Sequence, residues 1–108
     1  MLFRSIRIVR LFRALPKTTE AQVMGKQLLR CGTSVAANYR AVCRARSTAE
    51  FIARIGIVAE EADESVLWLE LLADTETLSS EKLRDITQEA KELAAIFSAS
   101  QKTAKGNK

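Results

Sequence analysis

The chain has 108 residues, enough for one domain, and its 47% hydrophobic and 28% charged residues exclude both a disordered chain and a membrane protein. One Pro and four Gly predict helices rather than tight-turned β structure, and the absence of His argues against an enzyme. The net charge of +4 is divided unevenly between the two halves of the chain. Residues 1–54 have 11 Lys and Arg and two Glu, a net charge of +9, whereas residues 55–108 have six Lys and Arg and 11 Asp and Glu, a net charge of −5.

The periodicity of apolar residues predicts four helices, at about residues 2–15, 20–45, 48–73 and 81–98. Pro16 ends the first helix, because proline cannot continue a helical hydrogen-bond pattern. Capping boxes at Thr19 and Gln22 and at Ser47 and Glu50 open the second and third helices.

The spacing of the apolar residues predicts how these helices pack. In helices two and three, apolar residues follow one another at steps of four and three and form a heptad seam. The seam of helix two keeps this spacing through Gly32, so we expect the helix to be continuous there. With short connections, the pattern predicts an all-α, antiparallel up-down-up-down four-helix bundle over residues 1–100. Residues 101–108 form a basic tail that we expect to be frayed.

The exposed side of helix two carries a row of cations at helical spacing, which suits the phosphates of a nucleic-acid backbone. The row is Lys26, Arg30, Arg40 and Arg44, and the cations that widen the patch are Arg46 and, in helix one, Arg4, Arg7 and Arg10. The alternative is an ordinary solvated face, or one that pairs with the acids of helix three. The sequence leaves both interpretations open.

Helix three is apolar on more than one side, which predicts burial on more than one side. Its second apolar side carries Ile57, Leu67 and Trp68, and we expect these residues to form a self-association surface. The alternative is that Trp68 packs inside a wider bundle core.

Small and polar residues interrupt the apolar pattern of helix two. Gly inside a helix costs about 1 kcal/mol relative to Ala, so Gly25 and Gly32, with Ala36, predict a close approach by another helix. Asn38 lies in the seam itself. We expect its amide to hydrogen-bond across helices and fix their register.

The acids and cysteines indicate neither a metal site nor a disulfide. The acids at positions 60, 61, 63 and 64 lie on one helix and lack the His of a di-iron bundle, so no metal or other cofactor is expected. Cys31 and Cys43 are about 18 Å apart along one helix, too far to bridge. We expect two buried thiols in a reducing, cytoplasmic setting, and no apolar run is long enough to span a membrane.

The stretch from Leu28 to Tyr39, which includes Thr-Ser-Val-Ala-Ala-Asn, resembles a motif of the bacterial 23S rRNA-intervening sequence protein family. The family motif is Ser-Ile/Val-Pro-x-Asn-Ile-Ala-Glu-Gly, and the matching residues are Ser34, Val35 and Asn38. Ala36, Ala41 and Val42 stand where the motif has Pro, Glu and Gly. Glu64 fits an acid that recurs in the third helix of the family. The resemblance extends over roughly residues 3–97.

The resemblance implies a four-helix bundle that assembles into a ring-like homopentamer and has no established enzymatic activity. It also implies a fold related to the accessory protein of diversity-generating retroelements, which works with a reverse transcriptase and nucleic acid through a basic surface. Family members begin with more residues ahead of Phe3, so the resemblance implies a shortened first helix.

Two functions fit these observations. The first is a non-enzymatic, homo-oligomeric bundle that binds RNA or DNA through the basic face of helices one and two, with reverse transcriptase as a further partner by family analogy. The second is a protein-interaction scaffold in which basic and acidic faces of neighbouring subunits pair and no nucleic acid binds.

Overall fold

The computed structural model describes residues 2–106, with side chains from Ser5 onward. In this range the chain forms four α-helices and no strand. Their bounds are α1 Leu2–Ala14, α2 Thr19–Val42, α3 Thr48–Asp74 and α4 Ser80–Gly106. α1 packs on α2, α2 on α3 and α3 on α4, in a rod of 48 × 21 × 19 Å. The predicted all-α, four-helix fold is therefore confirmed.

The helix starts follow the predicted capping signals, with one shift in register. Ser47 precedes α3 and its hydroxyl accepts a hydrogen bond from the backbone N–H of Glu50, as predicted. The cap of α2 is Thr18 rather than Thr19, because the Thr18 hydroxyl accepts from the N–H of Ala21. The side chain of Gln22 donates instead to the carbonyl of Pro16, which ties α2 to the turn before it.

α1 and the residue that follows it pack directly against the two glycines of α2. A Cβ added at Gly25 would lie 2.3 Å from Leu15 Cδ1, and one added at Gly32 would lie 2.4 Å from Ile8 Cδ1. α2 is continuous through Gly32, as the heptad predicted. The predicted close approach is confirmed, and α1 is the helix that makes it.

The core has two parts. The first is built by all four helices, from Ile8, Leu15, Leu28, Leu69, Leu72, Leu83 and Ile86. The second is built by α2, α3 and α4, from Val35, Val42, Ile55, Val58, Ala59, Ala62 and Phe97, and the ring of Tyr39 packs at 5.8 Å from that of Phe97. α1 has only 13 residues, about 20 Å, against 24 in α2, so it reaches only the first part.

Asn38 does not connect helices, which makes that prediction wrong. Its side-chain amide donates to the backbone carbonyl and to the hydroxyl of Ser34, both at 2.9 Å and both within α2. Because Ser34 lies one turn earlier on the same helix, the amide is satisfied without a partner on α3. The register of α2 and α3 is fixed elsewhere.

The end of the chain and the second cysteine also differ from expectation. α4 continues to Gly106, so the frayed tail is wrong for residues 101–106. Gln101 anchors this extension, because its side chain donates to the carbonyl of Ile52 at 3.2 Å and lies against Gly56. Cys31 is buried as expected, but Cys43 is exposed because it follows the last residue of α2, beyond the reach of α1.

Replacing Gly32 with Leu should destabilise the bundle. The new side chain would collide with Ile8, whose β-branched side chain has few alternative rotamers, so we expect a loss of about 2 kcal/mol in the free energy of unfolding. Urea denaturation measures this. Gly106→Leu is the control, since no atom lies within 4 Å of its added Cβ. Equal unfolding midpoints for the two variants would contradict the close approach of α1.

Candidate nucleic-acid interface

The predicted cations separate into exposed residues and residues held by acids. The exposed ones are Lys26, Arg40, Arg44, Arg46 and Arg10, and within the described residues none of them forms an ion pair. Arg4 belongs to α1, but its side chain lies outside the described part of the chain. Lys26 and Arg40 share the outward side of α2, and Arg44 and Arg46 follow its end. We call Lys26, Arg40, Arg44 and Arg46 the α2 basic surface.

Arg7 is a contact within the bundle. One nitrogen of its guanidinium donates to both carboxylate oxygens of Glu89, at 2.8 and 2.9 Å, and both side chains are half-buried. This pair joins α1 to α4. Arg7 is therefore engaged in holding α1 in place, which was not predicted.

Arg30, the second cation of the predicted row, turns toward α3. Its guanidinium donates to Glu61 at 3.2 Å and also pairs with Glu64. Its side chain stays half-exposed, yet its charge is opposed by two carboxylates. The alternative weighed from the sequence, that the row pairs with the acids of helix three, is correct for Arg30 and for no other member of the row within the described residues.

Glu64 is the centre of this contact between α2 and α3. One carboxylate oxygen accepts from the Cys31 thiol at 2.8 Å, from the Trp68 indole N–H at 3.2 Å and from Arg30. The hydrogen bonds from Cys31 and Trp68, followed by the positive charge of Arg30, lower the pKa of Glu64 below its ordinary value of 4.5. Glu64 is thus held as an anion by three donors.

Cys31 is held in the opposite state. Burial raises the pKa of its thiol well above the ordinary value of 9.0, and the hydrogen bond to Glu64 raises it further. A protonated thiol is a poor nucleophile and a poor metal ligand. The Cys31 thiol therefore acts here as a hydrogen-bond donor.

Cys31, Glu61 and Glu64 also bring three possible metal-ligand atoms within 4.8 Å of one another. Arg30 already supplies a positive charge to both carboxylates, and the thiol keeps its proton. The charges of Arg30 and the two carboxylates offset one another, so the cluster forms a polar contact between α2 and α3. This cluster was not predictable from the acids of α3 alone, because nothing in the spacing of the sequence places Cys31 opposite them.

The predicted self-association residues differ in exposure. Ile57 and Leu67 are 39% and 49% exposed. Trp68 is half-buried, packs against the first part of the core and donates to Glu64. The alternative interpretation of Trp68, as part of a wider core, fits its position, whereas association through Ile57 and Leu67 stays a prediction.

Comparison with known proteins gives two positive findings. The model of the family described as 23S rRNA-intervening sequence protein matches residues 4–99. A crystal structure of a protein of unknown function from the S23 ribosomal protein family of Bacteroides thetaiotaomicron is 38% identical, with a TM-score of 0.85 and 94% of each chain covered. No curated protein matches. Over the described residues, no helix has the length and apolar character needed to cross a membrane.

Replacing Glu64 with Gln should lower the thermal stability of the bundle at neutral pH but not at acid pH. The pKa of Glu64 is lower in the folded chain than in the unfolded chain. Ionised Glu64 therefore contributes fully to the stability of the fold above the ordinary carboxyl pKa, and this contribution disappears as the pH falls through the lowered pKa. The fluorescence of Trp68, the single tryptophan, reports thermal unfolding. We expect a lower midpoint for Glu64→Gln at pH 7, and convergence with the original protein once the pH has fallen below the lowered pKa of Glu64.

Glu60→Gln is the matched control, since Glu60 is an exposed acid on the same helix. Its midpoint should stay close to that of the original protein. A difference between Glu64→Gln and the original protein that is constant across the pH range would show that the charge of Glu64 is not the cause.

Proposed function

The chain belongs to the 23S rRNA-intervening sequence protein family, and from that premise we propose that it is a cytoplasmic, non-enzymatic, homo-oligomeric bundle that binds the backbone of RNA or DNA. We further propose that the contact is made by the α2 basic surface. The observation that carries this proposal is that all four cations are exposed and that none of their charged side chains forms an ion pair among the described residues, although the backbone N–H of Arg46 donates to Glu50.

The charge distribution supports contact with phosphate rather than with base edges. Binding of a polyanion releases counterions from its backbone, so free cations contribute most of the non-specific affinity. Within α2, Lys26 and Arg40 are about 21 Å apart along the helix, a span that crosses several phosphates of a duplex. The expected binding is salt-sensitive and largely independent of sequence.

Assembly would strengthen such binding. One chain offers a few weak phosphate contacts, and repetition of the α2 basic surface around an oligomer raises the effective concentration of the remaining sites. The homopentamer implied by the family resemblance is one such arrangement.

The order of contacts supports an antiparallel arrangement of neighbouring helices. Along α1 and α2, Leu15 lies against Gly25 while Ile8 lies against Gly32, so one residue number falls as the other rises. Between α3 and α4 the same holds, because Glu70 lies near Lys91 and Ile52 lies near Gln101. We infer from these pairs that α1 and α2 run antiparallel and that α3 and α4 do, as the up-down-up-down topology requires.

The second candidate is the protein-interaction scaffold. The exposed acids Glu60 and Asp63 of α3 favour it, since their charge complements that of the α2 basic surface on a neighbouring copy. Salt separates the two candidates. A scaffold assembled by charge pairs should dissociate at about 1 M salt, where the Debye length is about 3 Å, whereas one held by apolar contacts should persist.

Reversing two charges of the α2 basic surface should weaken nucleic-acid binding. We expect Arg40→Glu with Arg44→Glu to reduce the affinity for duplex DNA and for structured RNA by at least about tenfold at about 0.1 M salt, because two attractive contacts become repulsive. Fluorescence anisotropy titrations with labelled DNA and RNA of about 20 nucleotides measure the change in affinity.

The matched control reverses the same amount of charge on α4. Arg84 and Lys102 are exposed and lie outside the α2 basic surface, so Arg84→Glu with Lys102→Glu gives the same net charge. Retained affinity in this control assigns the effect to the surface rather than to net charge. Equal loss in both variants, or no loss in either, would contradict the proposed function.

A further inference from the structure

A gap separates α1 from α4 along one side of the bundle. Over the described residues, no Cα atom of α1 lies within 8 Å of one in α4, whereas α1 packs closely on the two glycines of α2. The ion pair of Arg7 and Glu89 crosses the gap through its two long side chains. Because the two backbones stay apart, space remains between α1 and α4 on either side of this pair.

Two neighbouring cavities occupy the gap. The outer cleft, toward the end of α1, has a volume of about 380 Å³, and the residues that define it are Arg10, Leu11, Leu78, Lys82, Leu83 and Ile86. The inner cavity, toward the start of α1, has a volume of about 40 Å³, and the residues that define it are Ile8, Val35, Leu69, Ile86, Ala90 and Leu93. Arg7 lines the outer cleft and Glu89 lines the inner cavity, so the two spaces adjoin at the ion pair.

The outer cleft combines an apolar floor with positive charge. Leu83 and Ile86 of its floor are buried in the first part of the core. Arg10 and Lys82 are exposed, and within the described residues neither side chain forms an ion pair. No acidic residue of the described chain lines this cleft. A ligand that joins an anion to an apolar chain would match both features.

The inner cavity is mainly aliphatic. Its two serine hydroxyls already donate to backbone carbonyls, and Glu89 at its edge pairs with Arg7. A small apolar cavity stays dry and accepts apolar groups, because water inside it would lack hydrogen-bond partners. The inner cavity therefore suits the end of an alkyl chain that enters from the outer cleft.

We propose that the gap between α1 and α4 binds an anionic amphiphile with a single alkyl chain, as in a medium-chain fatty acid. The carboxylate lies between Arg10 and Lys82, and the chain lies on Leu83 and Ile86 with its end in the inner cavity. From Lys82 to Leu93 the path along α4 is about 16 Å, close to the length of extended dodecanoate. Burial of the chain supplies the hydrophobic driving force, and the two cations select an anionic head group.

The apolar floor argues against a nucleic-acid phosphate as the occupant. A phosphate backbone would contact Arg10 and Lys82 but would make no use of the apolar floor or of the inner cavity. The site also contains no residue of the α2 basic surface. It is therefore separate from the proposed function, and loss of either one leaves the other in place.

Isothermal titration calorimetry with dodecanoate below its micelle concentration tests the inference. We expect one site per chain, and no measurable binding of butyrate, whose chain is too short to fill the gap. Arg10→Gln with Lys82→Gln should weaken dodecanoate binding at least about tenfold, because two charge-assisted contacts are lost. Arg13→Gln with Arg84→Gln is the matched control. It removes two exposed cations from the same two helices outside the outer cleft, so it should keep the affinity.

A second variant tests the apolar part of the site and keeps every cation. Ala14 is exposed and lines the outer cleft, so Ala14→Phe should fill the cleft and abolish dodecanoate binding. Ala99→Phe is the control, since Ala99 is exposed on α4 outside both cavities. Thermal unfolding of the variants without ligand, followed by the fluorescence of Trp68, should give midpoints close to that of the original protein.

The outcomes separate a free fatty acid from other occupants. Dodecanoate binding that falls in the Arg10 and Lys82 variant and in Ala14→Phe, and persists in both controls, supports the inference. Absence of dodecanoate binding, or equal affinity in all variants, overturns it. Sedimentation with phosphatidylglycerol vesicles that only the Arg10 and Lys82 variant loses, without binding of free dodecanoate, would assign the cleft to a membrane surface and would also overturn it.

Discussion

The hydrogen bonds to Glu64 join the two central helices of the bundle. One carboxylate oxygen on α3 accepts from a thiol and a guanidinium on α2 and from an indole on its own helix. Because α2 and α3 take part in both parts of the core, their relative register decides which of their apolar residues meet. The packing of Phe97 of α4 against Tyr39 of α2 depends on that register, since α4 packs on α3.

The same contact decides which cations are available for another molecule. Arg30 lies in the middle of the row on α2, but two acids oppose its charge, and Glu89 does the same for Arg7. The positive surface is thereby divided into Lys26 near the start of α2 and a cluster of arginines around its end. That cluster borders the open side left by the short α1, so charge and exposed apolar surface occur together.

The helices were predictable from the sequence because their signals are local. Apolar periodicity, the Ser47 cap and the cost of Gly25 and Gly32 each depend on a few neighbouring residues, and each agrees with the structure. The polar contacts were less predictable, because they depend on which residues face one another across helices. Cys31 donates to Glu64 on α3, a pairing that the spacing does not show. The extension of α4 likewise depends on Gln101 meeting a carbonyl about 50 residues earlier in the chain. Asn38 donates instead to Ser34 one turn away on its own helix, a local partner that the prediction of a contact across helices overlooked.

We propose a division of the cations of α2, in which Arg30 joins α2 to α3 and the α2 basic surface binds the phosphates of a nucleic acid. The salt dependence of duplex DNA binding tests it most directly, because the slope of log affinity against log salt counts the neutralised phosphates. Lys26→Gln should reduce the slope by about one per chain, whereas Arg30→Gln should leave it unchanged. A slope that falls equally in both variants would contradict this division of the cations, since Arg30 would then bind phosphate despite Glu61 and Glu64.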